Sequence, residues 1–265
     1  MKILFWNTHK NIDINHIVAE LIEENNINII ALAEYTANVD ELIDLLSNRG
    51  IIMRKYDNPG GEKVIFLGNT YYHAEPALQS DRYSFQIIDN KYIICCVHLQ
   101  SQILKNSEGT REITIRKIVR DIINTENAIK SDNTIVIGDF NINPFDHGMI
   151  DADQFHSLPF YEVAKKKTRI IADESFKMFY NPMWRFFRDI NKPYGTHYYS
   201  GNDKDNIFWN IYYQIIIRPD LRKYFVDEEL KIVTETSHCS LLNRNEHPNK
   251  NISDHLPIIF EIKET

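Results

Sequence analysis

Short apolar runs that each finish in one polar residue recur along this chain. Ile3-Leu4-Phe5-Trp6 runs into Asn7, Ile29–Ala33 into Glu34, and residues 92–97 into His98. Ile135-Val136-Ile137 passes through Gly138 to Asp139 and Asn141, with Pro144 closing the turn. Each run is short, rich in β-branched residues and bounded by turn formers, so each predicts a buried strand. Near the C-terminus the order reverses: Ser253-Asp254-His255 precedes the apolar residues 256–260. Strands ending in Asn, Glu, His and Asp put polar chemistry on one sheet edge. The last strand must then run antiparallel, so that its beginning meets the others' ends. Gly138 is predicted to admit a close backbone approach, and Asp139 and Asn141 to share one side of an extended chain.

Helical periodicity fills the gaps. Asp13 is predicted to cap a helix that buries Ile14, Ile17, Val18, Leu21 and Ile22 and ends at Asn25-Asn26. Asp40 is predicted to open a second helix that stops at Gly50. Strand candidates at 51–54, 63–68, 71–78, 82–88 and 91–97 follow with turn residues between them, which predicts an antiparallel meander. Residues 108–130 form the longest helix candidate, with Ile115, Ile118, Val119, Ile122 and Ile123 as its apolar stripe. Residues 145–207 are the least regular, and strands resume at 196–200, 211–217 and 230–235. Helix and sheet blocks alternating at both ends predict packed sheets with helices outside.

Composition narrows the picture. The chain has 265 residues, 43% hydrophobic and 25% charged, which is ordinary for a globular protein with a large core. The polar strand ends span the whole length, so one domain over residues 1–265 is expected; two would divide the site. A net charge of −7 excludes a global basic field for gripping nucleic acid. Of three cysteines, Cys95 and Cys96 are neighbours in a predicted strand and cannot form a normal local disulfide. Reduced cysteines, no apolar leader pattern and no run of transmembrane length predict a cytoplasmic protein away from membranes.

The motifs Trp6-Asn7, Glu34 after its apolar run, Val97-His98-Leu99-x-Ser101, Gly138-Asp139-Phe140-Asn141-x-x-Pro144 and Ser253-Asp254-His255-x-Pro257-Ile258 occur in an order that resembles the endonuclease/exonuclease/phosphatase superfamily. The resemblance spans essentially the whole chain. It implies a four-layer α/β/β/α sandwich with two packed mixed sheets, and a metal-dependent phosphoesterase. A divalent cation neutralises the phosphoester and stabilises its leaving oxygen, and Mg²⁺, with Mn²⁺ as substitute, needs only one or two carboxylates. Carried over residue by residue, Glu34 is the first metal ligand, with Asn7 and Asp254 as further candidates. Asp139 orients or deprotonates water, and Asn141 donates to the phosphate. His98 and His255 contact the scissile phosphate, with acid and base not assigned between them. Ser101, Arg111, Tyr213 and Gln214 are candidates to reach substrate.

Nucleic acid is the expected substrate class. A small phosphorylated molecule or lipid headgroup, or a binding or regulatory role on an attenuated scaffold, are the alternatives. The basic and aromatic residues from Lys165 to Arg188 suggest either a stacking platform for single strands or a plug beneath a long insertion. Two departures stand out. His9 replaces the Asp found two residues after the first Asn in abasic-site enzymes. Tyr213 stands where relatives carry an Asp that buttresses the terminal histidine. From this, the Tyr213 hydroxyl is expected to hold His255 by a hydrogen bond, the enzyme to be slow, and Tyr213→Asp to raise its rate; Gln214 or Asp205 are the substitutes should the register slip.

Overall fold

The computed structural model describes residues 1–265 except 62, 102–106, 189–191, 205 and 265, so Asp205 lies outside the described residues. In chain order the elements are β1 (Lys2–Asn7), α1 (Asn15–Asn25), β2 (Ile29–Ala33), α2 (Val39–Asn48), β3 (Met53–Lys55) and β4 (Val64–Asn69). There follow β5 (Ala74–Ser80), β6 (Tyr83–Ile88), β7 (Tyr92–His98), α3 (Ser107–Ile129) and β8 (Thr134–Asp139). The irregular stretch contains α4 (His147–Ile150), β9 (Ser157–Leu158), α5 (Tyr161–Ala164), β10 (Thr168–Ile171), β11 (Glu174–Lys177) and β12 (Phe179–Tyr180). The last strands are β13 (His197–Tyr198), β14 (Trp209–Asn210), β15 (Tyr213–Ile217), β16 (Lys231–Ile232) and β17 (Ile258–Glu261).

Two mixed sheets carry the fold, ordered β16-β17-β1-β2-β4-β3 and β5-β6-β7-β8-β15-β12-β9. Alternation along β8 shows how they stack. Ile135 and Ile137 join a core shared with β1, β2, α1 and α2, whereas Val136 joins Ile115, Ile118 and Ile122 of α3. Successive side chains on a strand face opposite ways, so the second sheet lies between the first sheet and α3, giving four layers. Phe5 of β1 meets Tyr213 of β15 edge-on across the inter-sheet core, with ring centroids 4.8 Å apart. Cys95 and Cys96 divide between the two cores as strand neighbours must, and burial pushes both thiols up.

Several local details differ from the sequence expectations. Asp13 does not cap α1: the N-cap is Ile14, with no side-chain hydrogen bond. The cap of α2 is Asn38, whose side chain accepts from the Asp40 and Glu41 N–H groups, because an uncharged amide oxygen two residues earlier reaches the free donors. The meander is split. β3 and β4 complete the first sheet beside β2, and the chain crosses after Asn69 to start the second sheet at β5. Uniform alternation hides that crossing, since both sheets have one face in the same core.

Two features hold the site-bearing ends together. β1 runs parallel to β2 and antiparallel to β17, and β7 runs parallel to β8, so the C-terminal ends of four strands meet the start of the last. Gly138 allows β8 to approach β7: a Cβ there would stand 2.0 Å from the Val97 carbonyl oxygen.

Candidate active site

Asn7, Glu34, His98, Asp139, Asn141, Asp254 and His255 all line one cleft of about 1080 Å³, with Ser101 on the same wall. The backbone there is unusual. His9, Lys10, Glu34 and Asn141 all have left-handed φ angles, at 51°, 56°, 48° and 52°. Non-glycine residues persist in that region only where surroundings fix them, and such positions cluster at functional sites. The turn at Glu34 swings its carboxylate out of the strand register, and the turn at Asn141 ends the extended chain. Asp139 and Asn141 therefore do not share one side of a strand, as the sequence suggested. They are held together by the Asn141 backbone N–H donating to Asp139 Oδ1 at 3.0 Å.

The polar network is specific. Asn7 gives its amide oxygen to the His9 N–H at 2.9 Å and donates from its amide nitrogen to Glu34 Oε1 at 3.4 Å. It also hydrogen-bonds Asp139. Asn7 thus spaces two carboxylates, and its amide oxygen, which accepts one hydrogen bond, keeps a second lone pair. Glu34 Oε1 lies 3.3 Å from His98 Nε2. Asp254 Oδ1 lies 3.2 Å from His9 Nδ1. Asn141 donates one amide hydrogen to the Leu99 carbonyl at 3.0 Å and keeps the second for the cleft.

Electrostatics follow from burial. The Asp139 carboxyl is pushed up to about 8, chiefly by desolvation, with hydrogen bonds from Asn141 and Asn7 opposing and the charges of Asp254 and Glu34 adding to the rise. Burial pulls His98 down against the opposing pull of Glu34, and Arg82, Lys63 and Lys10 lower it further. Burial also holds His255 well below the usual histidine range, with the neighbouring histidines contributing. Both imidazoles are therefore neutral at pH 7, so a standing cationic clamp at His255 is not what this environment favours.

A hard divalent cation fits this donor set. The Glu34 and Asp254 carboxylates are both partly exposed, and their negative field raises Asp139. A cleft in which carboxylates repel one another gains from a cation that takes oxygen ligands and keeps several waters.

Other candidates fall elsewhere. Tyr213 and Gln214 are fully buried and do not reach substrate. Gln214 accepts from Asn181 Nδ2 at 2.8 Å and donates to the Ile142 carbonyl at 2.7 Å, fixing the loop after Asp139. Tyr213 stacks its ring on His255, with centroids 4.5 Å apart and planes 11° from parallel. Its hydroxyl accepts from the Asn7 backbone N–H at 3.0 Å, so it holds Asn7 and not the histidine. His255 Nδ1 is buried without a hydrogen-bond partner. That corrects the expected hydroxyl buttress and removes the reason for Tyr213→Asp to be faster. Tyr213→Phe instead strands the Asn7 N–H, at a cost of about 1–3 kcal/mol. The expected result is a lower melting temperature, together with weaker Mg²⁺-supported turnover as Asn7 shifts. Equal melting curves for parent and variant would show that the Asn7 N–H gains nothing from the hydroxyl.

Arg111 is not on a solvated helix face. It is largely buried and donates to the Gln100 carbonyl at 3.4 Å, tying α3 to the loop after His98, and it is not among the cleft-lining residues. No residue from 165–188 lines the cleft. Lys167 pairs with Asp220 at 2.7 Å, Lys177 with Glu126 and Asp132, Lys165 with Glu162, and Arg185 with Asp227. Phe179 and Met183 are core residues, and Phe187 packs on Trp184 and Phe145, so the aromatics form the plug. Among the described residues, the Lys and Arg side chains that line the cleft are Lys10, Lys63 and Arg82, which sit in loops where no periodicity marks them. His197 was also missed. Its only sequence signal is the turn Tyr194-Gly195-Thr196 just before it, the same turn-plus-polar-residue grammar as Gly138-Asp139.

No protein-family model and no curated protein sequence matches this chain. Solved structures do. An AP endonuclease from Archaeoglobus fulgidus superposes over 100% of both chains with a TM-score of 0.59 at 14% identity. The human Nocturnin catalytic domain with bound sulfate aligns over 100% of this chain and 94% of its own, with a TM-score of 0.57 at 13% identity. The 3'-5' exonuclease NExo from Neisseria meningitidis covers 100% of both chains, with a TM-score of 0.56 at 16% identity. The layer order, the sheet topology and these superpositions give the chain the same four-layer sandwich fold as these three proteins.

Proposed function

We propose that this protein is a Mg²⁺-dependent hydrolase of phosphoester bonds, with nucleic acid as its substrate class. The observation that carries the reading is the convergence of Asn7, Glu34, His98, Asp139, Asn141, Asp254 and His255 on one cleft from strands spread over the whole chain. The neighbouring folds named as an AP endonuclease and an exonuclease add support for nucleic acid.

Glu34 and Asp254 would hold the cation, which supplies charge neutralisation and leaving-group stabilisation when bound. The rest is the chain's own work. Asp139, poised near 8 in a buried site, takes the proton of an attacking water; a base is most effective with a pKa near the working pH. The free amide hydrogen of Asn141 donates to a phosphate oxygen. His98, neutral and beside Glu34, offers a ring N–H hydrogen bond to the phosphate, and the leaving oxygen takes its proton from solvent water. His255, clamped between rings, donates or accepts one hydrogen bond at the phosphate. Lys10, Lys63 and Arg82 attract the polyanion along the cleft rim.

The test is hydrolysis of plasmid, single-stranded DNA, RNA and inositol phosphates with Mg²⁺, Mn²⁺ or EDTA. Cleavage of inositol phosphates alone would overturn the nucleic-acid assignment, and EDTA-insensitive turnover the metal. Glu34→Gln is expected to keep the fold and lose Mg²⁺-supported activity, because one formal charge leaves a site with few carboxylates. Parent-like Mg²⁺ binding in that variant would remove Glu34 from the ligand set. For substrate grip, Lys63→Glu with Arg82→Glu should weaken DNA binding and reduce the slope of affinity against salt by about one for each phosphate no longer neutralised. Reversing Lys165, Lys166 and Lys167 should leave that slope unchanged. The opposite pattern would move the DNA-binding surface to the 165–188 insertion.

A further inference from the structure

Beyond the oxygen-rich side of the cleft lies a nitrogen-rich cluster. One ligand atom from each of His197, Asp254 and His255 lies within 4.8 Å of the others. Zinc bonds of about 2.0–2.2 Å put donor pairs in a tetrahedral site roughly 3.3 Å apart, so a modest contraction would close these three around one ion.

The cluster is built, not incidental. His197 Nδ1 lies 2.9 Å from the Asp254 carbonyl oxygen, so that nitrogen carries the proton and Nε2 keeps its lone pair. A histidine that donates one ring N–H to a backbone carbonyl is oriented as metal-ligating histidines usually are. His255 is more than nine-tenths buried, and its Nδ1 has no hydrogen-bond partner. Its ring is fixed between Tyr213 and His197, whose centroids lie 4.5 Å and 4.3 Å away. The backbones are locked as well. His197 pairs with His255 as an antiparallel bridge, and the Leu256 N–H donates to the Thr196 carbonyl at 2.8 Å. The Ser253 hydroxyl ties the third segment to the Asn7 carbonyl at 2.8 Å. His9 Nδ1 lies 3.2 Å from Asp254 Oδ1 and so holds that carboxylate from outside the cluster.

Mixed imidazole and carboxylate donors suit zinc and its neighbours, whereas Mg²⁺ takes oxygen. We propose that His197, Asp254 and His255, with water completing the coordination, form a Zn²⁺ site that shares Asp254 with the Mg²⁺ ligand set and leaves Glu34 out, and that zinc bound there blocks hydrolysis by occupying Asp254 and His255. The binding half stands on the geometry alone; the inhibition half rests on the hydrolytic reading.

Co²⁺ is the probe, titrated into the metal-free 265-residue protein before any Mg²⁺ is added. One equivalent is expected to give the visible absorption of low-coordinate cobalt, displaced by one equivalent of Zn²⁺. His197→Ala and Asp254→Asn should weaken binding on the order of 100-fold or more, and Glu34→Gln should keep the spectrum. Should a variant fail to fold, histidine ring-nitrogen NMR of the parent decides: Zn²⁺ must shift His197 and His255 and leave His98 unmoved. A colourless parent, or a spectrum lost in Glu34→Gln and kept in His197→Ala, overturns the site. Zinc at one equivalent should also abolish Mg²⁺-supported turnover. Cobalt binding as expected with no hydrolysis of any substrate would leave the zinc site standing and sink the hydrolytic reading. Hydrolysis insensitive to bound zinc would sink only the inhibition.

Discussion

Asp139→Asn should destroy turnover and, at alkaline pH without metal, make the protein more stable. Both effects come from one cause. Burial lifts the Asp139 carboxyl to about 8, so the folded protein holds a proton that an unfolded aspartate gives up near 3.8. Between those values the unfolded chain binds fewer protons than the folded one, so stability falls as pH rises. Asp139 therefore favours folding fully below the unfolded value and loses that contribution progressively until the pH passes about 8. The largest possible loss across four pKa units is on the order of 5 kcal/mol. Asparagine keeps the shape and can still accept from the Asn141 N–H, but it has no proton to lose. His98, His197 and His255 act in the other direction: their folded values are depressed, so they remove stability as the pH falls below the ordinary histidine value. The substitution leaves that acidic arm untouched.

Melting curves in EDTA from pH 4 to 9 check this. Parent and variant should lie closest at the acid end of the range and separate progressively, to about 10 °C at pH 9. Turnover should drop by roughly 10²–10⁴-fold, the usual contribution of a positioned base. Curves that stay together at pH 9 would mean that Asp139 ionises freely, and undiminished turnover that water is activated elsewhere. Mg²⁺ should shrink the difference, because a cation in the cleft favours the ionised carboxylate.

The strands that carry the site were legible because each is an apolar run broken by one polar residue at its end. The reversal of the last strand was legible for the same reason: Asp254 and His255 come before their apolar run. What failed was anything that depends on which way a side chain points in a strand buried on both faces. All of β15 is buried, so no polar alternation shows that Tyr213 faces His255 or that Gln214 faces Ile142. Residues outside the long apolar strands failed for a different reason. Lys63 and Arg82 reach the cleft through turns whose direction is fixed by tertiary packing, and His197 lies in the two-residue strand β13, too short to leave a pattern. Glu126 went unread as well. It is fully buried in α3 with Arg218 at 2.7 Å, an ion pair formed by residues 92 positions apart.

Gly138→Ala should be the most damaging single methyl in the protein. Its φ of 150° lies where L side chains are strained, and an added Cβ would stand 2.0 Å from the Val97 oxygen and 2.7 Å from the Val97 nitrogen. Those are backbone atoms of a paired strand and cannot rotate away. Relief requires β7 and β8 to separate by an ångström or more, where Val97 pairs with Gly138 and His98 with Asp139. The chemistry lies one residue further on, and a misplacement of about 1 Å can cost 10²-fold in rate. Strain and broken pairing together place the stability cost at about 4–5 kcal/mol or more, among the largest single-residue effects. Gly109→Ala is the matched control: nothing lies within 4 Å of its Cβ, and its helical position should gain up to about 1 kcal/mol. The measurement is a denaturant titration of both variants with single-turnover rates on the folded fraction. Gly138→Ala that unfolds with the parent and cleaves at the parent's rate would mean that β7 and β8 do not need their close approach. The polar strand ends would then be held by the loops after them.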